Sequence, residues 1–357
     1  MSMNILGMIG VAPPGGGATV HVIGGGIDPE YVRRFAQAHE QAGFDSVLVG
    51  YTSSSAEGFQ VTQYAAAHTE RLNFLVAHRP GFVMPTLAAR TAATCDALTG
   101  GRVWLHIISG TADAEQQRDG DWLSHDERYA RTGEYLEIVR QMWTADKPFT
   151  FEGRYYSVRK AFSEVRSVQQ PHVPIYFGGA SDAAVQVGAK HADVYALFGE
   201  HRASVKAMMD RISKEAAQYN RQPRFNISFR PIIAPTEGAA WDKARGILAG
   251  IEESGPQMPL KVEAEFSRRL TQLAEAQEVY DERLWMGLVK ASGASGNTTA
   301  LVGTPEQVAE SIVAYYDLGM RGVLIRGFDP LNDVTEFGRE LIPRVRALVA
   351  EREAHAA

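Results

Sequence analysis

Arginines and histidines stand at or near the ends of several short apolar runs of this chain, and with one lysine, Lys290, outside those runs they are the side chains best suited to chemistry. His78-Arg79 follows the run 72–77. His106 lies inside 103–108, which leads into Ser109-Gly110-Thr111. Ser228 and Arg230 lie in 224–233, and Arg326 closes 323–326 ahead of Gly327-Phe328-Asp329. Imidazoles move protons near neutral pH, while guanidinium and ammonium groups hold anions. His106 within an apolar run also suits a packed core histidine. Gly178-Gly179-Ala180-Ser181-Asp182 follows the run 174–177. Its glycines let the backbone approach a ligand, and Ser181 can cap a helix whose first N–H groups face an anion. A phosphate site and a plain N-cap are both open there. Asp126-Glu127-Arg128-Tyr129 reads as a charged first helical turn, with Tyr129 turned to the core. No H-x-H, H-E-x-x-H or carboxylate cluster with ligand spacing occurs, so no metal is expected. Cys95 is the single cysteine, which excludes an intrachain disulfide and a cysteine-based zinc site. G-x-S-x-G is absent too, so an esterase has no footing.

These residues need a scaffold, and the alternation of elements predicts one. Strands are expected at 4–9, 45–49, 72–77, 103–108, 174–177, 194–197, 224–233 and 323–326. Helices are expected at 29–42, 56–68, 85–98, 125–143, 182–190, 203–219, 305–318 and 334–351. Strand and helix in turn, about eight times, predict an α/β fold of the (β/α)8 TIM-barrel class in one domain over 1–357. An open doubly wound sheet is the rival, but no G-x-G-x-x-G follows the first strand. Gly15–Gly17 and Gly24–Gly26 flank Thr19-Val20-His21-Val22 and suggest a mobile loop. Residues 149–158 read as a hairpin. The stretch 239–299, with Lys290 and a Gly/Ser-rich end, is a linker or an active-site lid, and in a barrel the lid fits better. A barrel carries its chemistry at the C-terminal strand ends, where His78, Arg79, Ser109, the Gly178–Asp182 stretch, Arg230 and Arg326 fall, with His106 just before one such end.

The composition narrows the partners. With 45% hydrophobic and 22% charged residues the chain is globular. A net charge of −6 and no basic run make nucleic acid or an anionic membrane unsuitable partners. No apolar run is long enough to cross a bilayer, so a soluble, cytoplasmic protein is expected.

Several stretches, in order along the chain, are similar to the bacterial luciferase-like flavin-dependent monooxygenases, and within them to the alkanesulfonate monooxygenase branch. They include Ala42-Gly43-Phe44-Asp45-Ser46-Val47-Leu48, Leu72-Asn73-Phe74-Leu75-Val76-Ala77-His78-Arg79-Pro80, His125-Asp126-Glu127-Arg128-Tyr129 and Leu301-Val302-Gly303-Thr304-Pro305-Glu306. Pro85–Thr94, Leu98–Arg102 and Tyr176–Asp182 belong to the same set. The resemblance implies FMN, used as FMNH2 from a separate NAD(P)H-dependent FMN reductase, with O2 as co-substrate. It assigns flavin contacts to Tyr51, Thr52, Ala77, Glu115, Arg128, Tyr129, Gly179, Ala180 and Ser181. Its phosphate would lie by Tyr129 and Ser181. His106 stands where the family commonly has Asn, and Ser109 where it has Thr or Ser.

The substrate side departs from the branch. Ser55 replaces a cysteine, Ser228 and Arg230 replace an arginine and a histidine, and Lys290 stands for a lid arginine. Phe328 and Pro330 replace a tyrosine and a histidine, and Phe198 a tryptophan. Ser55, Phe198, Ser228, Arg230, Lys290, Arg326 and Phe328 are therefore expected around a small anionic or polar substrate, for example an alkanesulfonate or related organosulfur compound. Arg230 and Lys290 would bind or steady the anion, with His78 and His106 as proton handlers. Neutralisation of the cations by Asp329, Asp333 or Glu115 is the alternative. A deazaflavin (F420)-dependent oxidoreductase and a non-catalytic flavin-binding protein are the rival functions. The resemblance also implies a homo-oligomer, dimer or tetramer.

Overall fold

A computed structural model gives the fold of residues 3–15, 18, 25–110, 112–253, 264–294 and 297–356, to which every structural statement refers. The loop expected at Thr19–Val22 lies outside the described residues. Eight parallel strands close into a barrel in the order β1 (Asn4–Ile9), β2 (Ser46–Val49), β3 (Asn73–His78), β4 (Val103–Ile107), β7 (Ile175–Gly178), β8 (Val194–Phe198), β9 (Arg224–Ile233) and β13 (Met320–Ile325). Closure comes at β9, which pairs with β8 through Arg224–Ser228 and with β13 through Phe225–Phe229. Helices cross over between them: α1 (Pro29–Gln41), α2 (Gly58–Ala66), α3 (Pro85–Leu98), α5 (His125–Thr144), α6 (Asp182–His191), α7 (Arg202–Ala217) and α11 (Pro305–Asp317). The expected (β/α)8 barrel is thus the fold.

Local chemistry starts the helices where the sequence predicts. Asp28 accepts from Tyr31 N at 3.1 Å with Pro29 behind it, and Ser124–Glu127 and Thr304–Gln307 form capping boxes. Side chains on a strand alternate between the barrel interior and the helix layer. Leu6, Leu75, Tyr176, Val194 and Leu324 pack inside together with Leu48 and Trp104, and Trp104 stacks on Tyr176 at 5.6 Å. Two residues further on, the same inward faces carry Met8, Ala77, His106, Gly178 and Arg326. That layer forms the floor of the C-terminal mouth.

Three differences from the sequence reading bear on the site. The expected helix 334–351 begins earlier, as α12 (Pro330–Glu336), and passes through a π-helical turn, Phe337–Leu341, into α13 (Ile342–Ala356). The last four residues of β9 run beyond the barrel and pair in parallel with β12 (Ala300–Gly303), a strand the sequence reading missed. The stretch 239–299 is also largely regular. It holds most of α8 (Glu237–Glu253), then α9 (Glu265–Ala276), the short strands β10 (Val279–Tyr280) and β11 (Leu284–Trp285), and α10 (Gly287–Ser292). Its apolar side chains, among them Ala240, Ala244, Trp285 and Leu288, form a second cluster with Ile232, Val302 and Phe328. The hairpin is present as β5 (Phe149–Glu152) and β6 (Ser157–Ala161).

Candidate functional site

The turn from β7 into α6 is the most constrained part of the mouth. Gly179 has φ +149°, and a Cβ there would meet Ala184 Cβ at 2.4 Å and the Tyr129 hydroxyl at 2.9 Å. Its carbonyl accepts from Tyr195 at 2.8 Å, and Ala180 beside it is buried. Ser181 caps α6 by accepting from Ala184 N at 3.2 Å. Burial pushes the Tyr129 phenol up to about 12, so it stays a hydroxyl donor, and Ser181 lies within its hydrogen-bonding reach. Arg128, next on the same helix, is buried. It donates from Nε to Ser109 O at 3.0 Å and from Nη1 to Leu123 O at 2.7 Å, and pairs with Asp113 at 2.9 Å. The Ser109 hydroxyl meets Thr132 at 3.0 Å.

His106 sits beside Ala77 on β3 and Tyr176 on β7 in the strand register. Its Nδ1 is buried without a hydrogen bond among the described residues, and burial pulls its pKa down to about 4, so the ring is neutral at neutral pH. Gly178 leaves room above it, since a Cβ there would lie 3.6 Å from the ring.

At the ends of β2 and β3, Arg79 is clamped. Its Nη2 donates to both Glu115 oxygens at 3.0 and 2.7 Å, and its guanidinium lies 4.5 Å over the Tyr51 ring. Glu115 also accepts from Ser53 N at 2.7 Å, while Tyr51 donates to Asp119 at 3.0 Å. Burial and that acceptor push the Tyr51 phenol up to about 12. Thr52 and Ser55 bond one another, Thr52 N to Ser55 Oγ and Ser55 Oγ to Thr52 O, each at 3.0 Å. A cavity of about 330 Å³ opens beside them, lined by Tyr51, Phe82, Asp119, Asp121 and Arg131 among others.

Across the mouth lies a second group. Arg230 is fully buried, donates to Asn297 O at 3.0 Å and Gly327 O at 2.9 Å, and stacks 4.7 Å over Phe328. Burial and the neighbouring Arg326 hold its pKa well below the usual arginine range. Arg326 donates to Asn297 O at 3.2 Å and Met8 Sδ at 3.1 Å and forms no ion pair among the described residues; burial pulls it down to about 10. Asn297 also donates to the Ser228 hydroxyl at 2.8 Å and to its carbonyl. Glu115 is committed to Arg79, and Asp333 accepts from Phe328 N and Asp329 N at 2.6 and 2.8 Å. Phe198 packs at 4.8 Å on Phe266 of α9, which brings that helix over the end of β8.

The fold therefore gathers Tyr51, Thr52, Ser55, Ala77, His106, Ser109, Glu115, Arg128, Tyr129 and Gly179–Ser181 on one side and Phe198, Ser228, Arg230, Arg326 and Phe328 on the other. Two expected residues fall elsewhere. His78 points outward under α5, with Nε2 2.7 Å from the Tyr135 hydroxyl and its pKa drawn down to about 4 by burial. It is a helix-layer residue, and neither it nor His106 titrates near neutrality as the sequence reading expects. Lys290 is exposed on α10 and forms no ion pair among the described residues. Arg79 is named in the sequence only as a strand-end residue, with no role assigned to it, and Asn297 has no role there either.

Residues 6–322 match the luciferase-like monooxygenase family. The chain belongs to that family. Among solved structures, a riboflavin lyase determined with modified FMN and riboflavin has a TM-score of 0.78 at 20% identity, covering 98% of this chain and 92% of that one. The EDTA monooxygenase of Chelativorans sp. BNC1 follows at 0.76 and 16%, covering 98% and 94%. An F420-dependent secondary alcohol dehydrogenase superposes at 0.71 and 19%, covering 97% and 100%. At these identities the likeness is one of fold. No helix among the described residues is long and apolar enough to cross a membrane.

Proposed function

We propose that this luciferase-like protein is the oxygenase of a two-component system that takes reduced FMN from an NAD(P)H-dependent reductase and oxygenates a small anionic or strongly polar substrate, an alkanesulfonate or related organosulfur compound among the candidates. The observation that carries the proposal is the β7–α6 turn. Gly179 leaves a cradle that a Cβ would fill, bordered by the Tyr129 hydroxyl, the Ser181 cap and the first amides of a ten-residue helix. That is a donor set for a dianionic phosphate. The orphaned His106 Nδ1 is the second point of fit, since a buried polar atom without a partner suits a ligand's polar edge.

Bound reduced flavin would supply the oxygen activation, and this chain's residues do the rest. Tyr129, Ser181 and Arg128 hold the phosphate end. Ala77 and Gly178 leave the ring space, and His106, neutral, offers Nδ1 as a hydrogen-bonding partner rather than a proton source. Tyr51 and the Arg79–Glu115 pair wall one side. Arg230 and Arg326 face the substrate anion, with Asn297 and Ser228 fixing their directions. The layer built by α9 and Phe266 covers the β8 side and keeps water out. Exposed Met84 and Leu87 at the start of α3 support assembly into a homo-oligomer.

Oxygen uptake on addition of FMNH2, followed by a substrate panel of sulfonates, carboxylates, sulfones, decanal and dodecane, tests the proposal. Turnover of the anionic or sulfone members is expected. Hydride transfer from a reduced deazaflavin without oxygen uptake would assign the rival chemistry, and product from decanal or dodecane alone would overturn the anionic substrate.

A further inference from the structure

The segment that follows β4, with the short helix α4 (Asp113–Arg118), carries four carboxylates. Three of them secure the scaffold: Glu115 on Arg79, Asp119 on Tyr51, and Asp121 on Arg131 at 2.5 Å. Asp113 differs. Its side chain is 55% exposed, whereas that of its partner Arg128 is 3% exposed. Arg128 spends Nε on Ser109 O and Nη1 on Leu123 O and Asp113, and its Nη2 makes no hydrogen bond among the described residues. The same guanidinium acts electrostatically on the Tyr129 hydroxyl, and Ser181 lies within that hydroxyl's reach. A carboxylate of this chain thus sits on Arg128, on the Tyr129 side of the cradle; on the other side Arg211 donates to Ala180 O at 3.2 Å and is paired with Asp182.

We propose that Asp113 is an internal competitor for the flavin phosphate, an affinity-setting residue that holds the charge of Arg128 and yields it when a dianionic phosphate binds. A buried guanidinium is costly without a counter-charge, so some anion must serve it. Asp113 can serve and leave, because its exposed carboxylate loses little on returning to water. The consequence is a weakened grip on the phosphate, which suits a flavin that must arrive reduced and depart oxidised. This rests on the placement of the phosphate at Tyr129 and Gly179–Ser181.

FMN and riboflavin differ by the phosphate alone, so paired titrations of the two oxidised flavins, read by fluorescence quenching, separate the inference from its foundation. Wild-type protein should bind FMN more tightly than riboflavin. Asp113→Asn should tighten FMN by roughly three- to tenfold and leave riboflavin unchanged. If wild type prefers FMN but Asp113→Asn alters neither flavin, or both equally, Asp113 does not compete and the inference is overturned while the phosphate site stands. If wild type does not distinguish the flavins, the phosphate placement itself is wrong and the inference falls with it.

Discussion

At the scale of single residues, Ser181 allows helix capping and ligand binding to be separated. Aspartate caps a helix as well as serine does, so Ser181→Asp should keep the cap on Ala184 N and leave the melting temperature nearly unchanged. Its charge would oppose a phosphate, and FMN affinity should fall by about tenfold or more with riboflavin binding unaffected. Titration with both flavins checks this; an unchanged FMN affinity would place the phosphate elsewhere. Arg326 gives a second prediction on the opposite side. Its guanidinium meets a carbonyl and a thioether rather than a carboxylate. Arg326→Met should lower kcat/KM for an anionic substrate by about tenfold, the worth of one charge-assisted hydrogen bond, and leave FMN binding intact. Steady-state kinetics with the best substrate of the panel decides it. The contrast between His78 and His106 shows what a sequence withholds at this scale. His78 follows an apolar run and His106 lies inside one, but a parallel barrel strand is apolar on both faces, so the alternation is present and its parity is unreadable. Only the packing of Leu75 inward turns Ala77 to the mouth and His78 to Tyr135.

Elements were easier to read than residues because each strand–helix unit carries its own signals. Asp28-Pro29, Ser124 to Glu127 and Thr304 to Gln307 mark helix starts within the local sequence. β12 carries no such mark: Ala300–Gly303 is four residues long and gains its place by pairing with the outer end of β9, about 70 residues earlier. The 239–299 stretch was likewise legible as an insertion but not as a packed layer, since its apolar residues find partners only once β9 has extended to receive them. Asn297 ties this layer to the barrel through Ser228, Thr299, Arg230 and Arg326. Asn297→Ala removes the side-chain part of that tie, two donors and one acceptor. It should cost about 1–3 kcal/mol in urea unfolding and speed amide exchange across Ala300–Gly303. Equal exchange in variant and wild type would show that the tie carries no load. At the β7–α6 turn, Gly179→Ala must clash with Ala184 Cβ at 2.4 Å in a backbone conformation that side chains avoid. A loss of about 1–3 kcal/mol of stability together with FMN binding is expected.

For the whole molecule, acid should be more damaging than the acidic composition suggests. Burial draws the pKa values of His39, His78 and His106 down to about 4 and that of His191 to about 3, with Arg140 and other cations adding to the last. All four are held neutral in the fold, while the unfolded chain protonates them near the ordinary value of about 6.5. Above that value they have no effect on stability. As the pH falls through 6.5 the unfolded state takes up protons that the folded state refuses, so stability is lost progressively down to the folded values. Each fully buried ring withdraws up to about 3 kcal/mol by pH 4, and four together give a slope approaching 5 kcal/mol per pH unit. Total stabilities of about 5–15 kcal/mol leave little to spare. The carboxylates with lowered pKa values, such as Glu40 under three backbone amides, begin to lose their contribution only below the ordinary 4.5. Acid unfolding should therefore set in between about pH 6 and 5, before those carboxylates titrate. Urea midpoints at pH 7.5, 6.0 and 5.0 measure the slope, and His191→Gln should flatten it by one proton. A midpoint that does not move between pH 7.5 and 5.0 would mean that these imidazoles are hydrated or paired, and that the neutral His106 assigned to the mouth must be abandoned with them.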